Sequence, residues 1–483
     1  MPTTLYWHDY ETSGIDPKRD RALQFAGIRT DHELNIIGKP LEIYAKPADD
    51  LLPHPEATLV TGITPQKALA NGLCEADFIE KIHHELSRPG TCGVGYNTIR
   101  FDDEFTRYTL YRNFYDPYER EWQGGNSRWD LIDVVRATHD LRPDGINWPK
   151  YDTGRTNFRL ESLTAANGIG HENAHDALAD VHATIAMARL IRDRQPKLFD
   201  YFLELRKKER VRELIDTHQH TPIIHTSGML SRDEGCSSIV VPLIWHPNNK
   251  NSVVVFDLRS DPAPLIALSV DEIYDRLYTR SEDLPEGVER IALKEIHINK
   301  APVIAPLNVL NSESAERLAI NSKQCELHRQ QIIQSLGLIN DKLHQLYQRK
   351  PNWEPLTDPD HRLYDGFLKP ADKKESLRLR QTAPEQLNEQ SWYFEDERLQ
   401  ELLFRYRARN WPEQLSAEER ARWDEYRRER LIEGRDERSL TFEQFFEAIT
   451  RLKEEPNSDS ATLGALEQYG QELLAGLQNS TKQ

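Results

Sequence analysis

Leu5-Tyr6-Trp7-His8-Asp9-Tyr10-Glu11-Thr12 is a hydrophobic run that ends in two carboxylates one residue apart. On an extended strand, positions i and i+2 face the same side, so Asp9 and Glu11 project together. Two like charges held that close are costly unless a cation neutralises them, and hard oxygen ligands suit Mg²⁺ or Mn²⁺. An isolated Asp-x-Glu pair is more often a solvated strand face, so the rest of the chain has to supply the weight.

Two further segments supply it. Thr91-Cys92-Gly93-Val94-Gly95 reads as a strand, and Asn97-Thr98-Ile99-Arg100-Phe101-Asp102 leads from it into a helix carrying Phe105, Tyr108 and Tyr111. Asp102 at that helix start is expected to face the strand bearing Asp9, where a second metal can bridge the two. Asp103 and Glu104 read as helix N-terminal acids that favour the dipole. In the third segment, Asn173-Ala174-His175-Asp176-Ala177-Leu178-Ala179-Asp180-Val181-His182-Ala183-Thr184, His175 sits near the first turn of a helix and Asp180 five residues on. The small and apolar residues around them press that helix onto a neighbour and point Asp180 into the site.

The order D-x-E, then N-x-x-x-F-D, then H-x-x-x-x-D resembles the DEDD exonuclease superfamily in its histidine-bearing branch. That resemblance implies an α/β RNase H-like nuclease domain, a five-stranded mixed sheet flanked by helices. A finer likeness rests on Trp7-His8-Asp9-Tyr10-Glu11-Thr12, Tyr44-Ala45-Lys46-Pro47-Ala48-Asp49-Asp50, Thr61-Gly62-Ile63-Thr64-Pro65, Asn126-Ser127-Arg128-Trp129-Asp130, Phe158-Arg159-Leu160-Glu161, His297-Ile298-Asn299-Lys300 and Leu403-Phe404-Arg405-Tyr406-Arg407-Ala408-Arg409-Asn410. Together these are similar to the bacterial exodeoxyribonuclease I family over nearly the whole chain.

Position by position, the resemblance implies a two-metal phosphodiesterase. Asp9, Glu11 and Asp180 would hold the cation nearest the attacking water, Asp9 and Asp102 the other, and His175 would be the general base, a role imidazole suits because it titrates near neutral pH. Two Mg²⁺ ions, or Mn²⁺, are the implied cofactors. Glu11, Thr12 and Arg159 match positions that touch substrate near its 3′ end, and a guanidinium suits a bidentate phosphate clamp. Arg107, Tyr118, Trp122, Arg136, Tyr201, Asn251, Lys294 and Ile298 match positions along a single-stranded DNA path, where stacking faces and cations following the phosphates are needed. Residue chemistry alone reads Tyr201 as core and Asn251 as a turn residue, and Tyr108 and Tyr111 as inward-packing.

A net charge of −17 repels polyanions at long range, so binding has to depend on a local groove. At 483 residues the chain is long enough for two or three cores. The nuclease domain is expected to end with the Ala-rich helix, giving residues 1–195. Lys197 to Thr217 reads as one charged helix, and strand patterns at Ser238–Trp245 and Ser252–Leu258 with helices near Val270–Leu277 and Ala315–Leu346 give a small β-rich domain over 196–349, SH3-like by resemblance. Lys350 to Pro359 is proline-rich and polar, hence a linker. Leu399, Leu402, Leu403 and Tyr406 recur at helical spacing, so 350–483 reads as a helical C-terminal domain. Arg405, Arg407 and Arg409 fall on different faces of that helix and need not form a basic stripe. The later domains are expected to close over the cleft and confer processivity.

Cys74, Cys92, Cys236 and Cys325 lack C-x-x-C spacing, which with the absence of a signal-peptide pattern or spanning stretch leads to the expectation of a cytoplasmic protein, without membrane contact, acting as a monomer. The family resemblance also implies a partner, the single-stranded DNA-binding protein, whose acidic tail docks on basic pockets. The cations after Lys300, Arg317 and Lys323, are sparse for such a patch. The expected activity is processive 3′ to 5′ hydrolysis of single-stranded DNA to 5′-mononucleotides in repair and recombination. Alternatives are an RNA-trimming 3′ to 5′ exonuclease or a polymerase proofreader, against which the nearly three hundred residues beyond the nuclease domain weigh, and a catalytically relic single-strand-binding scaffold, against which the complete set of chemical residues weighs.

Overall fold

The structure is a computed structural model that describes residues 3–170, 176–349, 356–436, 438–456 and 458–479. These gather into two compact units, one drawn from 1–127, 171–182 and 355–483, the other from 128–170 and 183–354. The C-terminal segment therefore packs with the first 127 residues.

In the first unit, β1 (Thr4–Thr12) and β2 (Ala22–Thr30) form the centre of a mixed sheet, and every residue of β2 is buried. Strands covered on both faces read as continuous apolar runs rather than alternating ones, as Leu5-Tyr6-Trp7 does. β1 pairs antiparallel with β2, Asp9 opposite Ala26 and Glu11 opposite Gln24, and parallel with β5 (Thr91–Gly95), Trp7 opposite Val94. β3 (Leu41–Ala45) lies antiparallel on β2, and β4 (Gly72–Leu73) parallel on β3. Among the described residues the sheet has six strands, one more than expected. Five of them, in the order β4-β3-β2-β1-β5, belong to this unit, and on the sixth, β6 (Ser127–Asp130), the chain leaves it. The two-residue β4 is too short to carry a period in the sequence.

Helices Glu75–Leu86 and Asp102–Arg112 cover one face of this sheet, joining Tyr6, Tyr10 and Phe25 to Phe78, Ile82 and Leu110 in one cluster. The other side of Asp102–Arg112 is covered in turn. Its Tyr108 and Tyr111, with Phe114, pack against Leu399, Leu402, Leu403 and Tyr406 of helix Glu397–Asn410. A helix buried all round need not be amphipathic, which explains Asp-Asp-Glu-Phe-Thr-Arg-Tyr-Thr-Leu-Tyr-Arg.

The arginines of Glu397–Asn410 are structural. Arg409 bridges the fully buried Asp50 (2.8 Å) and Asp360 (2.6 Å), Arg405 reaches Asp360 (2.7 Å) and Asp358 (2.5 Å), and Arg407 pairs with Glu419 (2.7 Å). Asp49 accepts from Trp423 Nε1 and Arg427. The Tyr44 to Asp50 motif is thus a docking edge for the C-terminal helices.

In the second unit, β7 (Ile223–Thr226), β8 (Ser237–Trp245), β9 (Ser252–Asp257), β10 (Leu293–His297) and β11 (Val303–Pro306) form an antiparallel sheet in the order β10-β9-β8-β7-β11. Pro242, within the central β8, sits where the register shifts, the place a residue without an N–H is tolerated. Two expected helices are broken. Lys197 to Thr217 divides into Pro196–Glu204 and Lys208–Leu214, with Lys207 extended between them. Ala315 to Leu346 falls on three helices, Ser312–Arg317, Ser322–Gln334 and Leu336–Gln348, because Ala319 takes a left-handed φ of 50° and Asn321 caps the next helix by accepting from Lys323 and Gln324 amides. All four cysteines are free thiols, and no described helix is long and apolar enough to cross a membrane.

Candidate active site

β1 carries Asp9 and Glu11 on the face opposite His8 and Tyr10, which pack with Phe25. Burial pushes His8 down to about 4, so it stays neutral and inside. The pairing of β1 with β5 stops at Trp7, and the amide of Tyr10 beyond it donates to Asp102 Oδ1 (3.1 Å). A buried amide needs some partner; here the first residue of a helix supplies it, which also fixes Asp102 beside β1. The turn that delivers this helix needs Gly95, where a Cβ would lie 2.7 Å from the His8 carbonyl, and Asn97, at φ 68°. Its neighbours stand in the first turn of the helix, as expected of N-terminal acids, and each also holds a partner. Asp103 is buried against Arg120 (2.6 Å), and Glu104 meets Arg107 (2.7 Å) and the Tyr364 hydroxyl.

Asp180 stands in the first turn of helix Ala177–Arg194. Ligand atoms of Asp9, Glu11 and Asp180 all lie within 4.8 Å of one another, Glu11 buried and the other two partly open. Burial, with Asp102, Asp180 and Asp176 close by, pushes the Asp9 carboxyl well above the carboxylate range. Burial and Asp9, then Asp180 and Asp176, push Glu11 up to about 9. Such a cluster is held together at neutral pH by protons or by cations, and its all-oxygen donors fit a hard divalent ion. His175 lies outside the described residues.

Two residues of this corner carry no role in the sequence reading. Asp176 caps the helix by accepting from the Ala179 amide, and Gln24 of β2 holds both Asp176 and the Ala177 amide. Asp176 was visible as a fifth acid beside His175; Gln24 gave no signal, because its partner is remote in sequence.

Thr12 is buried, with its hydroxyl donating to the Gly14 carbonyl (2.6 Å), so only its backbone is available. Arg107 is buried between Glu121 and Glu104, and a phosphate would compete with both. Tyr118 lies under the Arg107 guanidinium (5.4 Å) and beside the exposed Phe367, and Trp122 is 63% exposed, an open face for stacking. In the second unit, Arg159 is open, 4.0 Å from Glu161, and Arg136 pairs with Asp133 (2.6 Å) over the Phe158 ring. Tyr201 is half-buried against Phe202, its hydroxyl without a partner among the described residues. Burial and Arg290 lower the pKa of Lys294. Asn251 sits in the turn the residue chemistry gives, its carbonyl accepting from the Ile298 amide (2.8 Å). The Ile298 side chain is fully buried and offers no surface to a base. An apolar residue at this position completes the core beneath the turn, which leaves the backbone as the group a strand can meet.

Three family models match the chain: Exonuclease over residues 6–188, Exonuclease I SH3-like domain over 206–349 and Exonuclease I C-terminal domain over 357–473. Exodeoxyribonuclease I of Haemophilus influenzae is 46% identical over 475 residues, 98% of this chain and 99% of that one. Among solved structures, exonuclease I from Methylocaldum szegediense superposes with a TM-score of 0.93 at 50% identity, covering 98% of this chain and 100% of its own. The zinc-bound Escherichia coli exonuclease I complex with single-stranded DNA superposes with a TM-score of 0.92 at 45% identity and the same coverage. With a carboxylate cluster on the same scaffold and likeness running from end to end, the chain belongs to the exodeoxyribonuclease I family.

Proposed function

We propose that the protein is a metal-dependent exodeoxyribonuclease that removes 5′-mononucleotides from the 3′ end of single-stranded DNA, processively, in DNA repair and recombination. The observation that carries this reading is the convergence of Asp9, Glu11 and Asp180 within 4.8 Å, with Asp102 anchored to the adjacent amide of β1. Three acids from two remote stretches, kept partly out of water and near one another, are unfavourable as a purely structural feature.

Asp9, Glu11 and Asp180 would hold one Mg²⁺ and Asp9 with Asp102 a second; the same oxygen donors accept Mn²⁺. When bound, two such ions supply the positive charge that steadies the attacking and leaving oxygens of an in-line displacement. His175 takes the proton from the attacking water as its oxygen bonds to phosphorus, and the bond from phosphorus to the 3′-oxygen breaks, that oxygen taking a proton from solvent to become the 3′-hydroxyl of the shortened strand. The backbone of Thr12 and the open guanidinium of Arg159 orient the terminal nucleotide. Trp122 and Tyr118 offer stacking faces, and Arg107, Arg136, Tyr201, Asn251, Lys294 and the backbone of Ile298 complete the DNA contacts. The reading extends to a cytoplasmic monomer with domains at 1–195, 196–349 and 350–483 that docks the acidic tail of the single-stranded DNA-binding protein. A cleavage assay on unpaired DNA, duplex DNA and RNA of one sequence tests it. Unpaired DNA is degraded at least tenfold faster than either control; equal rates on RNA overturn the substrate assignment.

A further inference from the structure

One buried side chain ties the helix bearing Asp180 to the strand beside the acids. Gln24 stands opposite Glu11 in the register of β2 and is 1% exposed. Its Nε2 donates to Asp176 Oδ2 (3.2 Å) and also lies near the Tyr44 hydroxyl (3.1 Å) and Glu42 Oε1 (3.2 Å), while its Oε1 accepts from the Ala177 amide (3.4 Å). Asp176 in turn accepts from the Ala179 amide through Oδ1 (3.2 Å) and from the Asp180 amide through its carbonyl (3.0 Å). Gln24 therefore holds the capping residue and the first amide of the helix at once, one turn before Asp180.

The leverage is geometric. A carboxylate at the outer radius of a helix, about 5–6 Å from its axis, moves about 2 Å when the helix turns by about 20°, whereas metal–oxygen distances tolerate about 0.2 Å. We propose that Gln24 is a positioning residue for the acid cluster, its amide fixing Asp176 and the first turn so that the Asp180 carboxylate meets those of Asp9 and Glu11. Glutamine suits the task because one amide gives a donor to Asp176 and an acceptor to Ala177. Asp176 is then a cap, standing outside the set of Asp9, Glu11 and Asp180 whose ligand atoms lie within 4.8 Å of one another.

This inference rests on the metal-site reading, and the test separates the two. Mn²⁺ binding by calorimetry and kcat and KM on a single-stranded oligonucleotide are measured for the full chain and four variants. Gln24→Glu keeps the shape but loses the donor and adds a negative charge. Charge alone tightens Mn²⁺ binding; displacement of the helix weakens it, and we expect Kd to rise and kcat to fall about 10-fold or more, with KM little changed. Asp176→Asn has one acceptor oxygen to share between Gln24 and the Ala179 amide, so it loses one of the two bonds and falls between wild type and Asp176→Ala. Combining Gln24→Glu with Asp176→Asn reverses donor and acceptor and restores Mn²⁺ affinity. Asp176→Ala, at a partly exposed position that tolerates truncation, repeats the loss if Gln24→Glu does not fold. Tighter Mn²⁺ binding by Gln24→Glu at undiminished kcat, wild-type behaviour of Asp176→Ala, or abolition of binding by Asp176→Asn overturns the inference. Absence of Mn²⁺ binding by the wild type instead overturns the metal site itself.

Discussion

Replacing Arg409 by methionine keeps an unbranched apolar stem and removes the cation between Asp50 and Asp360. Both acids are fully buried, and Arg409 contacts them at 2.8 and 2.6 Å. Burial alone would raise both carboxyls; Arg409, aided by Arg430 at Asp50 and Arg405 at Asp360, outweighs it and holds both below the usual range. Removing one partner of a buried pair costs about 3–5 kcal/mol, between about a hundredfold and a few thousandfold in the unfolding equilibrium. The pH dependence carries the signature. In the wild type these carboxyls are depressed, so their contribution is intact at and above the unfolded value near pH 4 and is lost only as pH falls further, through the folded values. In Arg409→Met the same acids face burial with less compensation, their folded values rise, and acidification relieves the penalty. The difference between the two proteins is therefore largest at pH 7 and narrows towards pH 4. Urea unfolding followed by the fluorescence of Trp411 and Trp423 measures it. A difference below about 1 kcal/mol at pH 7, or one that widens on acidification, refutes the reasoning.

Further predictions concern the site. Because Glu11 is pushed up to about 9 and Asp9 is raised with it, metal binding at pH 7.5 displaces protons, and affinity climbs as pH rises towards 9. Calorimetry in buffers of different ionisation enthalpy reads the release directly, and zero protons released contradicts the shifts. His175→Ala keeps metal and DNA binding but loses on the order of 10²-fold or more in rate; unchanged turnover removes it as the base. Asp9→Ala is more damaging, and calorimetry finds fewer than two metal sites in it. Affinity for single strands falls steeply with salt through counterion release, and a flat dependence argues against a groove that follows phosphates.

The fold was legible where one residue's neighbours in sequence decide its structure. β1, β5 and the helix starting at Asp102 follow from apolar runs and from the acids that end them. The breaks at Lys207 and Ala319 were not, because neither Arg206-Lys207-Lys208 nor Leu318-Ala319-Ile320 contains a glycine or proline to mark the interruption. Asp9 and Glu11 could be read as a pair from alternation on a strand, while Asp180 joined them through the likeness to the exonuclease family. Gln24 could not be read, since a glutamine's role depends on which chain end folds against it. The arginines at 405, 407 and 409 show the same limit: their partners Asp50, Asp358, Asp360 and Glu419 lie in remote segments or on another helix. Ile298 was assigned by likeness to a DNA path, while its burial follows from the turn at Asn251 that covers it.

The proposed cation-dependent centre of acids 9, 11, 102 and 180 is tested by a time course of label release from a 3′-labelled single-stranded oligodeoxynucleotide, run with Mg²⁺ and with chelator, for wild type and Asp180→Asn. Labelled mononucleotide is expected as the first product, only from wild type and only with the metal. Release at an equal rate under chelation, or from Asp180→Asn at the wild-type rate, contradicts it.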